Sequence, residues 1–202
     1  MRNTRTLTRR AAVVAASVTA ALVLAACGNT EESAGGHGGG HGSASPSATA
    51  GHNAQDVSFA QGMIPHHRQA LEMAGLAADR ASSAKVKDLA SRIEKAQDPE
   101  IRTMTGWLTS WGEDAAPSGH SGHSGMAGMM DGEDMDELEK ASGTDFDTMF
   151  LTMMIEHHEG AVEMATTEKS KGGYGPATAM ADDIVTAQTA EIAEMNKLLG
   201  KN

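Results

Sequence analysis

Two pairs of adjacent histidines carry the side chains whose type and spacing most directly predict chemistry in this sequence. Met63 lies four residues before His67, and Met154 lies four residues before His158, so each thioether would stack over an imidazole on one helix face. Imidazole and thioether ligands suit copper or silver better than magnesium or calcium. The spacing therefore predicts two half-sites for a soft metal ion.

Glutamine, glutamate and methionine recur on the apolar face of a second segment in each half of the chain. On a helical wheel, Gln97, Glu100 and Met104 lie within about 60° of one another, in the arc that also holds the apolar residues. Burying an unpaired carboxylate costs several kcal/mol, so a cation or the histidines must face it. The second half repeats the pattern with Gln188, Glu191 and Met195.

We therefore predict one set of metal ligands in each half, with a glutamine beside each set that orients the ligands by hydrogen bonds. Adjacent histidines lie about 100° apart on a helix, so only one of each pair is expected to point squarely into the core, and the other to form a hydrogen bond at the edge or to bind a second metal. A buried hydrogen-bond network of the same side chains without a metal is the alternative. The predicted ligands are Met63, His66, His67, Met73, Glu100 and Met104, then Met154, His157, His158, Met164, Glu191 and Met195, and the glutamines are Gln97 and Gln188.

A carboxylate-rich di-iron site is disfavoured by the same residues. Such a site in a helical bundle uses four or more carboxylates, with Glu-x-x-His pairs on facing helices, whereas this chain offers one core-facing acid in each half. Glu72 and Glu163 fall about 180° from Met63 and Met154, on the opposite helix face. A metal-binding protein without enzymatic activity is therefore the leading hypothesis. A metal-dependent oxidase and a metal-free interaction module are the alternatives.

The elements that must position these residues are two copies of one unit. Residues 59–74 align with residues 150–165 at an offset of 91, and the same offset aligns residues 93–104 with residues 184–195. An unchanged offset across two motifs indicates internal duplication. Apolar residues recur with helical spacing in both segments, and no alternation is long enough for a strand. The pattern predicts an all-α, ferritin-like four-helix bundle made of two duplicated helical hairpins and a long crossover loop.

Two prolines fall inside the predicted helices. A proline inside a helix costs about 3 kcal/mol and bends or breaks it. Because the repeat partners of Pro65 and Pro99 are Glu156 and Ala190, which break nothing, we predict bends rather than helix ends at both prolines. A new helix that begins at Pro99 is the alternative.

Composition divides the chain into a leader, a linker and the duplicated bundle. Ser82-Ser83 and Gly172-Gly173 are predicted to form the turn inside each hairpin. The predicted bounds are 1–26 for a signal peptide, 27–54 for a flexible linker and 55–202 for the bundle, which divides into a first hairpin at 55–112, a crossover at 113–144 and a second hairpin at 145–202.

The crossover contains histidine and methionine in glycine-rich sequence, where methionine has no core to fill. This composition predicts an auxiliary collector of soft metal ions. The histidines of the linker, His37, His41 and His52, suit either a second collector or a neutral spacer, and the acidic run at 131–139 is typical of a solvated face. The predicted auxiliary ligands are His120, His123, Met126, Met129 and Met130.

The N-terminus predicts export and a lipid anchor. A basic start is followed by an apolar run that ends in Leu24-Ala25-Ala26-Cys27, which resembles a bacterial lipobox. Cys27 is the only cysteine, so lipidation would leave the mature chain without a thiol and soft-metal binding would depend on methionine and histidine. The 27 acidic and 16 basic residues give a formal net charge of −11, which disfavours nucleic-acid binding.

The two motifs together resemble those of the bacterial domain of unknown function 305 family. Met-Ile-x-His-His-x-x-Ala-x-x-Met-Ala begins at Met63 and Met154, and Gln-x-x-Glu-Ile-x-x-Met begins at Gln97 and Gln188. The resemblance covers residues 56–200, and it implies a ferritin-like helical bundle in exported proteins, some of which are linked to copper binding and copper tolerance. It also implies that the predicted ligands and glutamines are the family positions.

The leading hypothesis is a lipoprotein anchored to the outer face of the cytoplasmic membrane that binds copper for sequestration, tolerance or delivery. The metal would be Cu(I) or Cu(II), and silver would fit the same ligands. A membrane, through the lipid, and a protein that receives the metal would be its partners.

Overall fold

The computed structural model describes residues 51–115 and 126–201, and every regular element in these ranges is a helix. The predicted all-α class is confirmed. The predicted signal peptide, Cys27, His37, His41, His120 and His123 lie outside the described residues. The helices are α1 (Ala54–Arg80), α2 (Ala84–Trp111), α3 (Gly132–Lys140), α4 (Gly143–Lys171) and α5 (Gly175–Leu198).

Helices α1 and α2 form one hairpin, helices α4 and α5 form the other, and the hairpins meet mainly where α1 packs on α4. The apolar core has two clusters, and equivalent residues of the two repeats lie in different clusters. Phe59 and Met63 belong to one cluster, and their repeats Phe150 and Met154 belong to the other. None of the helices within the described ranges has the length and hydropathy that crossing a bilayer requires.

Helix α3 lies in the crossover and was not predicted from the sequence. Asp131 and Asp134 form a capping box at its start, and its acidic side chains are exposed, as expected for a solvated face. Leu138 is fully buried in the core and holds this short helix against the bundle. Met135 also packs against this cluster, but two apolar residues in a short acidic segment give little periodicity, which is why the helix was missed.

Both prolines lie inside continuous helices. Helix α1 runs through Pro65 and α2 runs through Pro99, so neither proline ends a helix and the alternative of a new helix at Pro99 is wrong. Ile64 and His66 on either side of Pro65 are fully buried. Tertiary packing therefore offsets the local cost of this proline.

Two buried aspartates, one in each hairpin, accept hydrogen bonds from the turn of the other hairpin. Asp56 at the start of α1 accepts hydrogen bonds from the backbone N–H groups of Gly173 (3.0 Å) and Tyr174 (2.9 Å). Its repeat Asp147 in α4 accepts from the N–H groups of Ser82 (3.1 Å) and Ser83 (2.9 Å). These cross-hairpin aspartates show that α1 and α4 run antiparallel, because the start of each helix meets the end of the other.

The two aspartates differ in the side chain that completes their environment. The Ser82 hydroxyl donates to Asp147, whereas a fully buried carboxyl group, Glu168, lies beside Asp56. Burial would raise the pKa of Asp56, but hydrogen bonds from the backbone of Asn53, from Glu168, and from the backbone of Tyr174 and Gly173 hold that pKa below its ordinary value. Burial raises the pKa of Glu168 to about 8, and Asp56 adds to the shift. Glu168 is therefore protonated at neutral pH, and neither of its carboxyl oxygen atoms has a hydrogen-bond partner of good geometry among the described residues.

We expect the Glu168 contribution to the free energy of unfolding to decrease as the pH rises from 4.5 to about 8. In this window the folded protein keeps a proton that the unfolded chain has released, so a rise in pH favours the unfolded chain. The contribution is complete below the window and lost above it. Urea unfolding in half-unit pH steps, with Glu168→Gln as the comparison, measures it.

The Glu168→Gln variant should lose this part of the pH dependence, because an amide does not titrate in the window. The matched control is Glu163→Gln, which changes an exposed side chain of the same helix and should retain the wild-type profile. An unchanged profile in Glu168→Gln contradicts the prediction.

Candidate metal centre

The imidazole rings of His66 and His157 face each other across the contact between α1 and α4. Their centroids are 3.7 Å apart and their planes are inclined by 40°. Both side chains are buried, and none of their four ring nitrogen atoms has a hydrogen-bond partner of good geometry among the described residues. Buried polar atoms are normally paired. This pair of rings is therefore costly unless a further group binds to it.

Both rings are held in the neutral form. Burial lowers the pKa of His66 to about 3, His67 adds to the shift, and the backbone of Ala127 opposes it. Burial also places the pKa of His157 well below its ordinary value, and His66 contributes as a like charge. A neutral imidazole has a free lone pair, which is the form that binds a metal ion.

Each neighbouring histidine is paired with a glutamate from the second helix of its hairpin. The Nε2 atom of His67 lies 2.7 Å from Glu100 Oε2, and the Nε2 atom of His158 lies 2.8 Å from Glu191 Oε2. The Nδ1 atom of each ring is buried and without a partner among the described residues. A histidine that donates Nε2–H to a carboxylate has its Nδ1 lone pair available, an arrangement typical of metal-binding histidines.

Both histidines of each pair are buried, so the expectation that only one of them points into the core is wrong. The physical reason is that α1 is covered on two sides. His66 faces α4 through His157, and His67 faces α2 through Glu100. Directions about 100° apart on one helix therefore both lead into protein.

The predicted methionine ligands divide between the two core clusters, but the division does not follow the sequence halves. Met63 and Met104 are in the cluster against which the partly exposed Met164 packs, whereas Met73 is in the cluster of Met154 and Met195. The antiparallel packing of α1 and α4 explains the exchange, because the later part of each helix lies beside the earlier part of the other.

The two glutamines lie in the same buried region. Gln97 and Gln188 are 2 % and 4 % exposed, and the side-chain oxygen atom of each has no hydrogen-bond donor among the described residues. Their burial distinguishes them from Glu72 and Glu163, which are exposed as expected for the opposite helix face. The glutamine oxygen atoms are further unsatisfied acceptors that a bound cation would complete.

The end of the crossover covers the histidine pair. We call residues 126–130 the strap. The side chain of Gln69 accepts a hydrogen bond from the N–H group of Met130 and donates one to its carbonyl oxygen, both at 2.8 Å. A Cβ atom at Gly160 would lie 2.0 Å from the Ala127 carbonyl oxygen, so only glycine permits this approach of the strap to α4. Among the predicted auxiliary ligands of the strap, Met130 is buried and Met126 and Met129 are partly exposed.

Gln69 and Gly160 were not predicted from the sequence as functional positions. They occupy the same position in the two repeats, since 160 is 91 residues after 69. In the first repeat the side-chain amide of Gln69 forms hydrogen bonds with the strap. In the second repeat Gly160, which has no side chain, leaves space for the strap backbone. This difference between otherwise similar repeats is the signal that would have identified them.

No three side chains of histidine, cysteine, aspartate or glutamate within residues 51–115 and 126–201 form a group that could hold a metal ion. His66 and His157 are in contact where α1 meets α4, His67 lies against Glu100 of α2, and His158 lies against Glu191 of α5. The buried ring nitrogen atoms without partners are the observation that fits a soft metal ion to these residues.

The sequence profile of the DUF305 family, described as a domain of unknown function, matches residues 56–199. None of the curated protein sequences compared with the chain matches it significantly. A predicted secreted DUF305 protein from Streptomyces coelicolor is 32 % identical, with a TM-score of 0.67, over 73 % of this chain and 91 % of that one. A DUF305 fragment from Deinococcus radiodurans is 30 % identical, with a TM-score of 0.68, over 75 % of this chain and 99 % of the fragment.

The chain is also similar to solved structures of CopM. The Cu(I)-bound form of CopM is 34 % identical, with a TM-score of 0.61, over 71 % of this chain and 94 % of CopM. CopM has also been solved in Cu(II)-bound, silver-bound and apo forms.

Proposed function

This chain belongs to the DUF305 family, and we propose that it is an exported protein that binds copper for sequestration, tolerance or delivery. The observation that carries the proposal is the set of four buried histidines, six of whose eight ring nitrogen atoms have no hydrogen-bond partner among the described residues. Similarity to CopM, which has been solved with copper and with silver, supports the choice of metal.

The side chains have distinct roles in this proposal. The neutral rings of His66 and His157 supply lone pairs at the contact between the hairpins. Glu100 and Glu191 orient His67 and His158 so that Nδ1 of each ring is available as a ligand. The methionines of both clusters add thioethers, which favour Cu(I) and Ag(I) over harder ions. Gln97 and Gln188 orient the ligands by hydrogen bonds. Copper is the cargo here, and no reaction is assigned to it.

We further propose that the protein acts at the outer face of the cytoplasmic membrane. Similarity to the predicted secreted protein from Streptomyces coelicolor supports export. The Leu24-Ala25-Ala26-Cys27 sequence after a basic and apolar leader supports a lipid anchor at Cys27. A lipid-anchored protein at this surface would take up copper that enters the envelope and would pass it to a partner protein.

The test is an anaerobic Cu(I) titration against a chelator of known affinity. We expect the wild-type protein to bind more tightly than about micromolar, and His67→Ala combined with His158→Ala to weaken binding by about 100-fold, because each substitution removes a ligand and its orienting carboxylate contact. In a separate aerobic experiment the copper-loaded protein should consume no oxygen, which separates a binding protein from the oxidase alternative.

The matched control is Glu72→Ala combined with Glu163→Ala. Both glutamates are exposed on the helices that carry the histidines, so copper affinity should be unchanged. Wild-type binding no tighter than micromolar, and unchanged in the histidine variant, would overturn the proposed function.

A further inference from the structure

Two thioethers from different elements converge on one glycine of α1. A Cβ atom at Gly62 would lie 3.5 Å from the sulfur atom of Met164 in α4 and 3.8 Å from the sulfur atom of Met126 in the strap. Both sulfur atoms therefore border the same small space, which a side chain at position 62 would occupy. The glycine keeps that space open.

These two methionines differ from most methionines of the histidine centre in their exposure. Met126 and Met164 are partly exposed, whereas Met63 and Met104 nearby in the core are fully buried. A buried methionine is explained by packing alone. A partly exposed thioether, even one that packs against the core as Met164 does, also leaves a soft ligand accessible to an ion in solvent.

The position of Met126 is set by the protein. The strap that carries Met126 is hydrogen-bonded to Gln69 at its Met130 end. At Ala127, the residue after Met126, the strap packs closely against Gly160. The Met126 sulfur atom is therefore placed beside α1 by contacts that do not involve the sulfur itself.

The gap over Gly62 lies next to the buried centre. Gly62 is four residues before His66, so the two positions are one helical turn apart on the same face of α1. Ala127, adjacent to Met126, is close enough to His66 to influence its protonation. An ion held over Gly62 would thus be one turn of helix from the rings of the histidine centre.

The duplication shows that the gap occurs in only one of the two repeats. The repeat partner of Gly62 is Met153, which is buried in the core, and the repeat partner of Met164 is the fully buried Met73. The equivalent position in the second repeat is therefore filled by a side chain.

We propose that Met126 and Met164 form a surface site for a soft monovalent cation, Cu(I) or Ag(I), through which the ion reaches His66. The inference rests on the proposed function of the histidine centre, and it adds the oxidation state of the ion and the side from which the ion enters. No electron transfer is needed, because the ion enters and is held as a monovalent species.

The experiment uses the full chain with methionine labelled by ¹³C at its methyl group, titrated with silver nitrate. We expect the Met126 and Met164 methyl resonances to shift at the first additions of Ag(I). In the variant Met126→Leu with Met164→Leu, transfer of Cu(I) from a chelator should be about tenfold slower.

Two comparison variants keep the test specific. Met149→Leu with Met180→Leu makes the same chemical change at two other partly exposed methionines, and should leave the uptake rate unchanged. Gly62→Leu fills the gap while both sulfur atoms remain, and should slow uptake as the double methionine variant does.

The outcomes separate this inference from the proposed function. A wild-type protein that binds no Cu(I) defeats the proposed function and the inference with it. A wild-type protein that binds Cu(I), together with a Met126→Leu and Met164→Leu variant that takes it up at the wild-type rate, overturns the surface site alone.

Discussion

Replacing His66 and His157 together by leucine is expected to stabilise the metal-free protein and to abolish tight copper binding. In the metal-free state the two rings place four polar nitrogen atoms in the core without hydrogen-bond partners among the described residues. A buried unsatisfied polar group costs about 1–3 kcal/mol, so their removal should raise the free energy of unfolding by about 2 kcal/mol. The same substitution removes two ligands, and copper affinity should fall by about 100-fold, or about 2.7 kcal/mol.

The measurements are urea unfolding of the metal-free protein and anaerobic competition for Cu(I). The comparison variant is His67→Leu with His158→Leu, which should also lose copper affinity but should destabilise the metal-free protein. These substitutions leave Glu100 and Glu191 without their histidine partners in partly buried positions. Opposite effects on stability would show that His66 and His157 are retained for binding at the expense of stability.

A loss of stability in the His66→Leu and His157→Leu variant, equal to that of the comparison variant, would contradict this prediction. It would mean that the facing rings contribute to the fold without a metal. The metal-free hydrogen-bond network would then be the better explanation for the buried histidines.

Gly160→Ala is expected to detach the strap from the bundle. The added Cβ atom would lie 2.0 Å from the carbonyl oxygen of Ala127 and 2.9 Å from the Cα atom of Gly128, and backbone atoms cannot move aside as a flexible side chain can. Overpacking of this kind costs about 1–3 kcal/mol. It should exceed the gain of about 1 kcal/mol that alanine normally brings to a helix in place of glycine.

The matched control is Gly106→Ala in α2, where an added Cβ atom meets nothing within 4 Å. This substitution should stabilise the protein by up to about 1 kcal/mol. Hydrogen exchange at the Met130 amide, which donates to Gln69, reports on the strap directly. Faster exchange in Gly160→Ala, with unchanged exchange in Gly106→Ala, is the expected result. Equal protection of this amide in both variants would show that the strap does not depend on Gly160.

Much of the fold could be predicted because helical periodicity and duplication are local properties. The offset of 91 residues relates His67 to His158 and Glu100 to Glu191. Within each repeat the histidine contacts the glutamate, as the apolar stripes indicated. The turns at Ser82-Ser83 and Gly172-Gly173 lie between helices, as predicted. A periodic pattern states which residues share a face, and the faces of a hairpin with a short turn can meet in few ways.

Several features of the candidate site depended on contacts between the hairpins, which periodicity does not describe. The 3.7 Å contact between His66 and His157 requires α1 and α4 to be antiparallel and in one register. The same packing exchanges Met73 and Met164 between the core clusters. The contacts of Gln69 and Gly160 with the strap join residues that are up to about sixty positions apart in the sequence. These contacts depend on loop geometry, which carries no periodic signal.

The sequence by itself therefore determined the helices, the duplication and most of the residues that lie in the core, and it predicted soft ligands. These follow from side-chain chemistry and from a helical repeat that each segment carries alone. Only the tertiary structure decided which ring meets which, that both histidines of each pair are buried, and that Gly62 and Gly160 lie against Met164 and the strap. Those properties belong to the contact between two helices and a loop, and each partner's sequence constrains only its own side of that contact.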